Sequence, residues 1–454
     1  MSSAPTGRGA HAGSRGGGGT VTGARVAAAD VLADLRSGDM LDVAFDRRTS
    51  ELEARDRRWV QELVWETLRR RSRLDALLHD RVKGGIARLD ADVADLLRLG
   101  AYQLLYMGSV PPYAAIAQTV ELVKARHGQG AGGLSNAVLR RIDRERDALN
   151  VVVPADAVEA LALAHGHPQW LVARWLARWG EADTARLLEA NNTPGPIVIR
   201  PFGIVTEQLE ATLESAGIIV SAAPLARGSL ALPPGVALTE LGAFKQGLFF
   251  VQDPAATLVA QYAAIAAGSV VADLCAAPGG KALELSRTAA EVIAADRGVA
   301  RVRRLAENVR RVNARNVRVI AADVRDAAIA PVDVVLMDVP CTGTGTFRRH
   351  PDARWRLKVS DVAVMAALQR SILHGAAAAV KPGGLLVYST CSIEPEENDE
   401  QVDRFLAEHR GWELDPPPDG VVPAAVLDGG RLRVLPQRHG TDGAFAARLR
   451  KVAP

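Results

Sequence analysis

Hydrophobic residues in the first third of the chain recur at helical spacing. Between residues 24 and 150, one stripe carries apolar side chains three or four positions apart: Val93, Leu96, Leu97, Ala101, Leu104 and Leu105. That spacing places them on one face of an amphipathic helix. The next helix opens at Pro111 and Pro112 and ends at Gly128, and a further helix begins near Leu134. The pattern predicts a small all-helical bundle.

The pattern changes after residue 150. Residues 168–190 predict one or two helices, NNTPGP then interrupts the periodicity, and IVIRPF is typical of a strand. We therefore expect a connecting α+β module over residues 151–249. From Ser269 onward, helical stretches alternate with short apolar runs, which are SVVADLC, EVIAAD, VRVIAAD, VDVVLMD and LLVYSTC. This alternation predicts a parallel α/β sheet in a domain over residues 250–454.

Composition narrows the class of protein. A chain of 454 residues with 48% hydrophobic residues has room for several ordinary cores. Residues 1–23 are rich in glycine and serine and predict a disordered tail. No run approaches the roughly 20 apolar residues of a membrane helix, and the N-terminus lacks the apolar core of a secretory signal. Three widely spaced cysteines argue against a disulfide framework and predict a reducing, cytoplasmic location.

The charge of the chain is nearly balanced. Its net charge is +3, and residues 1–150 carry 23 Lys and Arg against 19 Asp and Glu, so the basic excess is N-terminal and modest. Almost all of these basic residues are arginine, whose guanidinium group suits bidentate phosphate contacts. A bias in genome composition gives the same enrichment in arginine. Arg69, Arg70, Arg71 and Arg73 form a cluster that fits a solvated helix face as well as phosphate contact.

Each of the three cysteines lies inside a distinctive block. Cys275 stands in DLCAAPGGK, Cys341 in MDVPCTGTG and Cys391 in YSTCSIEPEEN. Their separations are too long for a CxxC redox pair or a zinc knuckle, so no metal is expected. We interpret the pattern as nucleophilic thiol catalysis on an electrophilic ring.

The predicted strands end in candidate binding residues. Asp296, Asp323 and Asp338 close three runs, and Cys275 closes the first, just before a turn of small residues. Ligands of open parallel sheets bind outside the carboxyl ends of the strands, so these residues are expected to line one crevice. The turn lacks GxGxxG and GxxxxGK(S/T), which disfavours nicotinamide and nucleoside-triphosphate binding. Two roles suit Asp296: it caps the following helix, or it binds the ribose hydroxyls of an adenosine cofactor. Its place after the glycine-rich turn favours the second role.

Five blocks in fixed order carry a resemblance to a known family. They are DLCAAPGGK, MDVPCTGTG, HPDARW, YSTCSIEPEEN and HGTDGAFAARLRK. Together they resemble the bacterial Sun/Fmu-type ribosomal RNA cytosine-5 methyltransferase family. Upstream, DRRWVQELVWETLRRRSRLDALL, LRLGAYQLLYMGSVPPYAAIAQTVEL and LSNAVLRRI are similar to an antitermination-factor NusB-like domain. The resemblance covers residues 24–454.

The resemblance implies a multidomain architecture. Residues 24–150 would form an all-α NusB-like RNA-binding domain, residues 151–249 a small α+β linker module, and residues 250–454 an α/β Rossmann-like class I methyltransferase domain. The implied substrate is small-subunit (16S) ribosomal RNA, either naked or in a partly assembled subunit. We expect a monomer without membrane contact.

The resemblance also implies the cofactor, S-adenosyl-L-methionine. Asp296 would bind the ribose hydroxyls, Asp323 would lie near the adenine, and Asp338 would line the same site. The glycine-rich turn would hold the rest of the cofactor through Cys275, Ala276, Ala277, Pro278, Gly279, Gly280 and Lys281.

Catalytic roles follow from the same resemblance. Cys391 would be the nucleophile that attacks carbon 6 of cytosine, which makes carbon 5 electron-rich enough to accept a methyl group. Cys341 would assist release of the enzyme from the product, and Asp338 would bond the ring nitrogen 3 and amine edge of the base. A cysteine of ordinary pKa, about 8.5, is only slightly ionised near neutrality, so neighbouring groups must help. For the Cys275 side chain we keep the simpler interpretation, a small buried hydrophobe.

Two other functions stay open. A DNA cytosine-5 methyltransferase places its nucleophile after the fourth strand, which would leave Cys391 without a task. A non-catalytic RNA-binding or assembly factor is suggested by the NusB-like half. Arg348, Arg349 and His350 are candidate contacts to the substrate backbone. Glu397 and Asn398 either orient the Cys391 loop or cap the helix that follows.

Overall fold

The computed structural model describes residues 21–149, 151–325 and 329–453. The chain forms two compact units, residues 1–152 and 153–454. Within the described ranges, every helix is too short or too polar to cross a membrane.

The first unit is all-helical. Its helices are α1 (Gly23–Arg36), α2 (Leu41–Thr49), α3 (Ala54–Arg69), α4 (Arg71–His79), α5 (Ala91–Tyr106) and α6 (Pro112–Arg144). The predicted apolar stripe lies on α5 and is buried except for Leu105, which is half-buried. Gly100 lets α5 approach α6, because a Cβ there would lie 3.0 Å from the Thr119 side chain. Residues 1–20 of the predicted tail lie outside the described residues.

The predicted helix end at Gly128 is confirmed, whereas the next helix starts earlier than predicted. α6 consists of two helical segments that meet at Gly128, and the second segment follows directly rather than beginning near Leu134. The backbone of Gly128 is non-helical, and its φ of 83° lies in the left-handed region. Glycine adopts that conformation without the steric cost of a Cβ, so one residue suffices to change the helix direction.

The arginine cluster at the α3–α4 junction has mixed environments. Arg69 is buried and forms an ion pair with Glu66. Arg70 lies over the ring of Tyr106, with its guanidinium carbon 4.6 Å from the ring centroid. Burial lowers the pKa of Arg71, and Arg73 is exposed. The cluster is therefore partly structural rather than a uniform solvated face.

The second unit begins with a connecting module. Its helices are α7 (Ala157–His165), α8 (Gln169–Asn192), α9 (Thr206–Ser215) and α10 (Gly242–Lys245), and its strands are β1 (Val198–Pro201), β2 (Ser221–Ala222), β3 (Leu230–Ala231) and β4 (Phe249–Val251). The strands form an antiparallel sheet in the order β2-β3-β1-β4. The predicted IVIRPF strand is β1, and its Ile199 packs with Leu209 of α9 in the core of the module.

A nine-stranded sheet forms the rest of the unit. Its strands are β5 (Val270–Asp273), β6 (Glu291–Asp296), β7 (Val317–Ala321), β8 (Val332–Asp338), β9 (Val380–Thr390), β10 (Trp412–Leu414), β11 (Leu427–Asp428), β12 (Arg431–Val434) and β13 (Ala444–Lys451). The order is β11-β12-β13-β9-β8-β5-β6-β7, with β10 on β13. The five predicted strands, β5 to β9, are parallel as expected, whereas β10 to β13 add antiparallel pairs.

Helices cover both faces of this sheet. They are α11 (Pro254–Tyr262), α12 (Gly280–Leu285), α13 (Val299–Arg311), α14 (Ala353–Arg356), α15 (Val359–Ala377), α16 (Asp399–Glu408) and α17 (Pro436–His439). Along β8, Val334 faces a core that includes α13, and Val335 faces a core that includes α15 and α16. Because the parallel strands are buried on both faces of the sheet, their sequences are continuous apolar runs.

Candidate active site

The glycine-rich turn joins β5 to α12 at the carboxyl edge of the sheet. The strand ends at Asp273, two residues before Cys275. Gly279 has a φ of 114°, and a Cβ there would lie 2.8 Å from the Leu305 side chain, so the turn requires glycine. The Asn308 side chain, on α13, donates a hydrogen bond to the Pro278 carbonyl over 2.9 Å. The turn is thus fixed from the neighbouring βα unit.

A buried carboxyl group without a partner lies beside this turn. Asp273 is 1% exposed, and neither of its carboxyl oxygens makes a hydrogen bond to any described residue. Burial raises the pKa of Asp273 to about 7, against the opposing charge of Lys281. Gln252, which lies against Gly280, likewise has both amide atoms buried without a partner in the described chain. Buried polar groups normally have hydrogen-bond partners, so this pocket suits a ligand that brings donors and an acceptor.

Asp296 and Asp323 follow the next two strands but differ in their surroundings. Oδ1 of Asp296 accepts a hydrogen bond from the Gly298 amide and forms an ion pair with the Arg301 guanidinium, each over 2.9 Å. The first contact stabilises the turn that leads into α13, whose N-cap residue is Gly298 rather than Asp296. Asp323 instead forms a bidentate pair with Arg325, and these hydrogen bonds lower its pKa to about 2. A ligand at Asp323 must therefore compete with Arg325.

Lys281 and Asp338 form an ion pair at the centre of the carboxyl edge. Nζ of Lys281 lies 2.6 Å from Oδ2 of Asp338, and the Ser389 hydroxyl donates to Oδ1 over 3.0 Å. Burial alone lowers the pKa of Lys281, but the charges of Asp338, Asp273 and Cys391 outweigh it and the pKa is raised. Lys281 thus keeps its positive charge beside Cys391.

Two of the three cysteines meet at this edge. Cys341 follows β8 and Cys391 follows β9, and the parallel pairing of these strands brings the two sulfur atoms to 3.3 Å. Both residues are half-buried. The hydrogen bond to Cys391, together with burial, raises the pKa of Cys341. The raised pKa favours the protonated thiol at Cys341, and either sulfur can be the donor of this contact.

Cys275 has a different environment. Burial, followed by the negative charge of Asp273, raises the pKa of its thiol. A thiol that resists ionisation is a poor nucleophile. Among the three cysteines, the sulfur–sulfur contact joins Cys341 and Cys391 alone.

A buried carboxylate holds both cysteine loops. Glu397 accepts hydrogen bonds from the Thr342 amide over 2.9 Å, from the Ser392 hydroxyl over 2.7 Å and from the Gln369 amide over 2.8 Å. The Thr342 hydroxyl donates a further short hydrogen bond to it. Thr342 and Ser392 directly follow the two sulfur-bearing residues, so Glu397 fixes one loop against the other.

Asn398 extends this network. Its side chain accepts from the Thr390 hydroxyl over 2.6 Å and donates to the Ser392 carbonyl over 2.9 Å. It makes no side-chain hydrogen bond to the first turn of α16. The sequence left two roles open for Glu397 and Asn398, to orient the Cys391 loop or to cap the next helix. In the structure, both residues orient the Cys391 loop. Their position six and seven residues after Cys391, which follows a strand end, is the sequence signal for this role.

Removal of the Glu397 carboxylate is expected to destabilise the unit. Glu397→Ala leaves buried donors on Thr342, Ser392 and Gln369 without an acceptor, and we expect the free energy of unfolding to fall by about 3 kcal/mol. Urea denaturation measures the change. The control is Glu400→Ala, an exposed position on α16, where we expect a change below about 0.5 kcal/mol. Equal effects of the two substitutions would show that the network does not stabilise the loops.

Arg348 and Arg349 have structural partners. Arg349 forms ion pairs with Asp253 over 2.7 Å and with Asp442 over 2.9 Å. Arg348 is buried and donates to the Gly440 carbonyl over 2.7 Å. Their guanidinium groups hold the segment before β13 in place, and their predicted contacts to the substrate backbone stay predictions. His350 is half-buried, and its predicted contact stays a prediction.

Comparison with known proteins identifies three family models along the chain. The NusB family matches residues 22–144, the ferredoxin-like domain of RsmF/B-like methyltransferases matches residues 167–239, and 16S rRNA methyltransferase RsmB/F matches residues 261–450. The fold is thus that of an α/β methyltransferase domain preceded by a ferredoxin-like module and a NusB-type helical unit.

Relatives match over nearly the whole chain. The probable ribosomal RNA small subunit methyltransferase B of Synechocystis sp. is 33% identical over 442 residues, 93% of this chain and 98% of the relative. Ribosomal RNA small subunit methyltransferase B of Pseudomonas syringae pv. tomato is 35% identical over 441 residues, 94% of this chain and 97% of the relative. The crystal structure of PH0851 is similar with a TM-score of 0.81 and 26% identity, covering 95% of this chain and 99% of that one.

The chain belongs to the 16S rRNA methyltransferase RsmB/F family. The resemblance drawn from the sequence blocks and the predicted fold class are therefore confirmed. The roles of individual site residues stay predictions.

Proposed function

We propose that this protein transfers a methyl group from S-adenosyl-L-methionine to carbon 5 of a cytidine in 16S ribosomal RNA. The observation that carries the proposal is the pair of thiols at Cys341 and Cys391, 3.3 Å apart and beside the Lys281–Asp338 ion pair. The names of the relatives support small-subunit ribosomal RNA as the substrate. Two working thiols require a reducing compartment, which supports a cytoplasmic reaction.

The residues of the crevice fit the cofactor. The Asp273 carboxyl group and the Gln252 amide lack hydrogen-bond partners in the described chain, and they would pair with the donors and acceptors of the cofactor. The small residues of the Cys275–Lys281 turn allow the backbone to approach the cofactor closely. Asp296 has one carboxylate oxygen, Oδ2, without a hydrogen bond in the described chain, which we assign to the ribose hydroxyls. Asp323 would lie near the adenine. S-adenosyl-L-methionine supplies an electrophilic methyl group.

The protein must make the cytosine ring nucleophilic. The Cys391 sulfur attacks carbon 6, and a sulfur–carbon bond forms while electron density moves toward carbon 5 and the ring nitrogen 3 edge. The positive charge of Lys281 acts electrostatically on Cys391 and on Asp338, with which Lys281 forms its ion pair. Asp338, held by Lys281 and Ser389, accepts a hydrogen bond at the amine edge of the base. The Lys281 ammonium group beside it offsets the negative charge that develops toward ring nitrogen 3.

Product release needs a second group. After methylation, the proton on carbon 5 and the Cys391 sulfur on carbon 6 must both leave to restore the ring. We assign this elimination to Cys341, whose sulfur lies next to the leaving sulfur. Its thiol donates a proton to the departing Cys391 sulfur, and the resulting Cys341 thiolate accepts the proton from carbon 5. Glu397 acts on both steps indirectly, since it fixes the two loops that present the thiols.

A methylation assay tests the proposed function. The purified protein is incubated with labelled S-adenosyl-L-methionine and either a 16S ribosomal RNA transcript or duplex DNA of the same sequence. We expect label in RNA alone, at cytidines that resist bisulfite conversion. Methylation of the DNA instead would favour the DNA cytosine-5 alternative, and methylation of neither would favour a binding factor.

Asp296→Ala is expected to weaken cofactor binding. The change removes charge-assisted hydrogen bonds worth about 1.5–3 kcal/mol in favourable cases, or roughly ten- to a hundredfold in affinity. Calorimetric titration with S-adenosyl-L-methionine measures this effect. Arg301→Ala is the matched control, because it removes the ion pair of Asp296 but keeps the carboxylate. If only Arg301→Ala weakened binding, Asp296 would be a structural residue.

We also propose that the helical unit, predicted over residues 24–150, binds the RNA substrate. Deletion of residues 1–152 is then expected to leave the affinity for S-adenosyl-L-methionine unchanged and to reduce RNA methylation sharply. The division of the chain into two compact units supports this design. Calorimetry and the methylation assay separate the two effects. A folded truncated protein that methylates the same sites at full rate would contradict the proposal.

A further inference from the structure

The basic charge of the chain is concentrated after β6. Residues 297–318 contain eight arginines and one glutamate, a net charge of +7 in a chain whose total is +3. This segment includes α13 and lies in the methyltransferase domain. The net positive charge of residues 1–150, 23 basic against 19 acidic residues, is therefore smaller than that of residues 297–318.

Several arginines of α13 lie on the side of the helix that does not pack against the core. Leu305 and Val309 pack into the core on one face of the large sheet. Arg303, Arg304 and Arg310 are exposed, and none of them has a carboxylate partner among the described residues. The same holds for Arg315, which follows the helix. These arginines therefore form one unneutralised basic surface.

Other arginines of the same segment have structural contacts. Arg301 forms an ion pair with Asp296 and Arg318 one with Glu291. Arg311 donates hydrogen bonds to the carbonyls of Phe244 and Phe249 in the connecting module. The exposed arginines of the basic surface differ from these neighbours because they form no ion pair in the described structure, even with Glu307, the one acidic residue of α13. A bound polyanion would supply the missing negative charge.

The location of α13 suits RNA. The helix begins three residues after Asp296, at the carboxyl edge that holds the candidate active site, and its 13 residues extend about 20 Å away from it. Phosphates of a strand whose target base enters the site would lie along such a path. A membrane fits less well, because membrane-surface helices need a broad exposed apolar face. In α13, Leu305 and Val309 lie in the core, and Val299 is the one large apolar residue that is exposed.

We propose that the α13 basic surface, formed by Arg303, Arg304, Arg310 and Arg315, binds backbone phosphates of the RNA substrate outside the target nucleotide. This inference rests on the proposed function. Such contacts are independent of sequence and position the RNA, whereas the active site selects the base. Arginine suits the task because its guanidinium group binds phosphate with two parallel hydrogen bonds.

The test compares two double variants of the full chain. Arg303→Gln/Arg304→Gln removes two charges from the basic surface. Arg404→Gln/Arg410→Gln removes two exposed, unpaired charges at α16, which packs on the opposite face of the sheet. Filter binding to a 16S ribosomal RNA transcript is measured over a range of salt concentrations. Calorimetry with S-adenosyl-L-methionine checks that each variant is folded.

Each phosphate contact to a single strand contributes about 0.7 to the slope of log affinity against log salt. The α13 variant is expected to lose about 1.4 from that slope and to bind roughly tenfold more weakly at about 0.1 M salt. The α16 variant is expected to match the wild type. Equal slopes for both variants would overturn the proposal, as would loss of binding to anionic lipid vesicles or an acidic protein without loss of RNA binding. A wild-type protein that binds RNA but methylates nothing would instead contradict the proposed function.

Discussion

Cys391→Ala is expected to abolish methylation. Carbon 5 of cytosine is too weak a nucleophile without prior attack at carbon 6, so loss of the attacking sulfur blocks the reaction before methyl transfer. Removal of a catalytic nucleophile commonly reduces the rate by a factor of about 10⁴ or more. Incorporation of labelled methyl groups into 16S ribosomal RNA measures the loss. Binding of S-adenosyl-L-methionine is expected to stay unchanged.

The matched control is Cys275→Ala. It removes the third cysteine, whose thiol is kept protonated by burial and by Asp273, from the cofactor turn. We expect this variant to keep methylation within a few-fold of the wild type. If Cys391→Ala kept full activity while Cys275→Ala lost it, the assignment of the nucleophile would be wrong.

Cys341→Ala is expected to trap the enzyme on its substrate. Attack by Cys391 and methyl transfer remain possible, but elimination slows, so protein covalently joined to RNA accumulates. Denaturing gel electrophoresis with labelled RNA detects this species as a slowly migrating band. The wild type is expected to show little of it at steady state.

The double variant Cys341→Ala/Cys391→Ala is the control for this band. It keeps the same loops but lacks both sulfurs, so no adduct is expected. A band from Cys391→Ala and none from Cys341→Ala would move the nucleophile to Cys341, as in DNA cytosine-5 methyltransferases.

Much of the methyltransferase domain was predictable from local pattern. The strands β5 to β9 are buried on both faces, and their apolar runs are visible in the sequence. The antiparallel strands β10 to β13 lack that signal, because they are short or, as in β13, mix arginine with apolar residues. Their pairing depends on long-range contacts, such as that between β13 and β9, which a local pattern does not contain.

The candidate site was predictable where it depends on strand ends. Parallel strands end at one edge, so the sequence predicted that Asp296, Asp338 and the cysteine blocks converge there. The partners of charged residues were not predictable. Arg349 is near Asp253 and Asp442 only in the folded chain, and its pattern in the sequence equally suited a phosphate contact.

The Lys281–Asp338 pair shows the same limit. The turn and the strand end were each identified, but the ion pair joins residues 57 positions apart. Sequence reasoning therefore assigned Lys281 to the cofactor alone. The structure places its ammonium group beside Asp338, the residue that we propose binds the base.

The central claim is that Cys391 forms the bond to cytosine, and a mechanism-based trap tests it directly. Wild-type protein is incubated with S-adenosyl-L-methionine and 16S ribosomal RNA that contains 5-fluorocytidine, whose fluorine cannot leave as a proton does. The adduct is digested, and mass spectrometry identifies the cysteine that carries the nucleotide. We expect a modified peptide that contains Cys391. A modified peptide that contains Cys341 would contradict the claim.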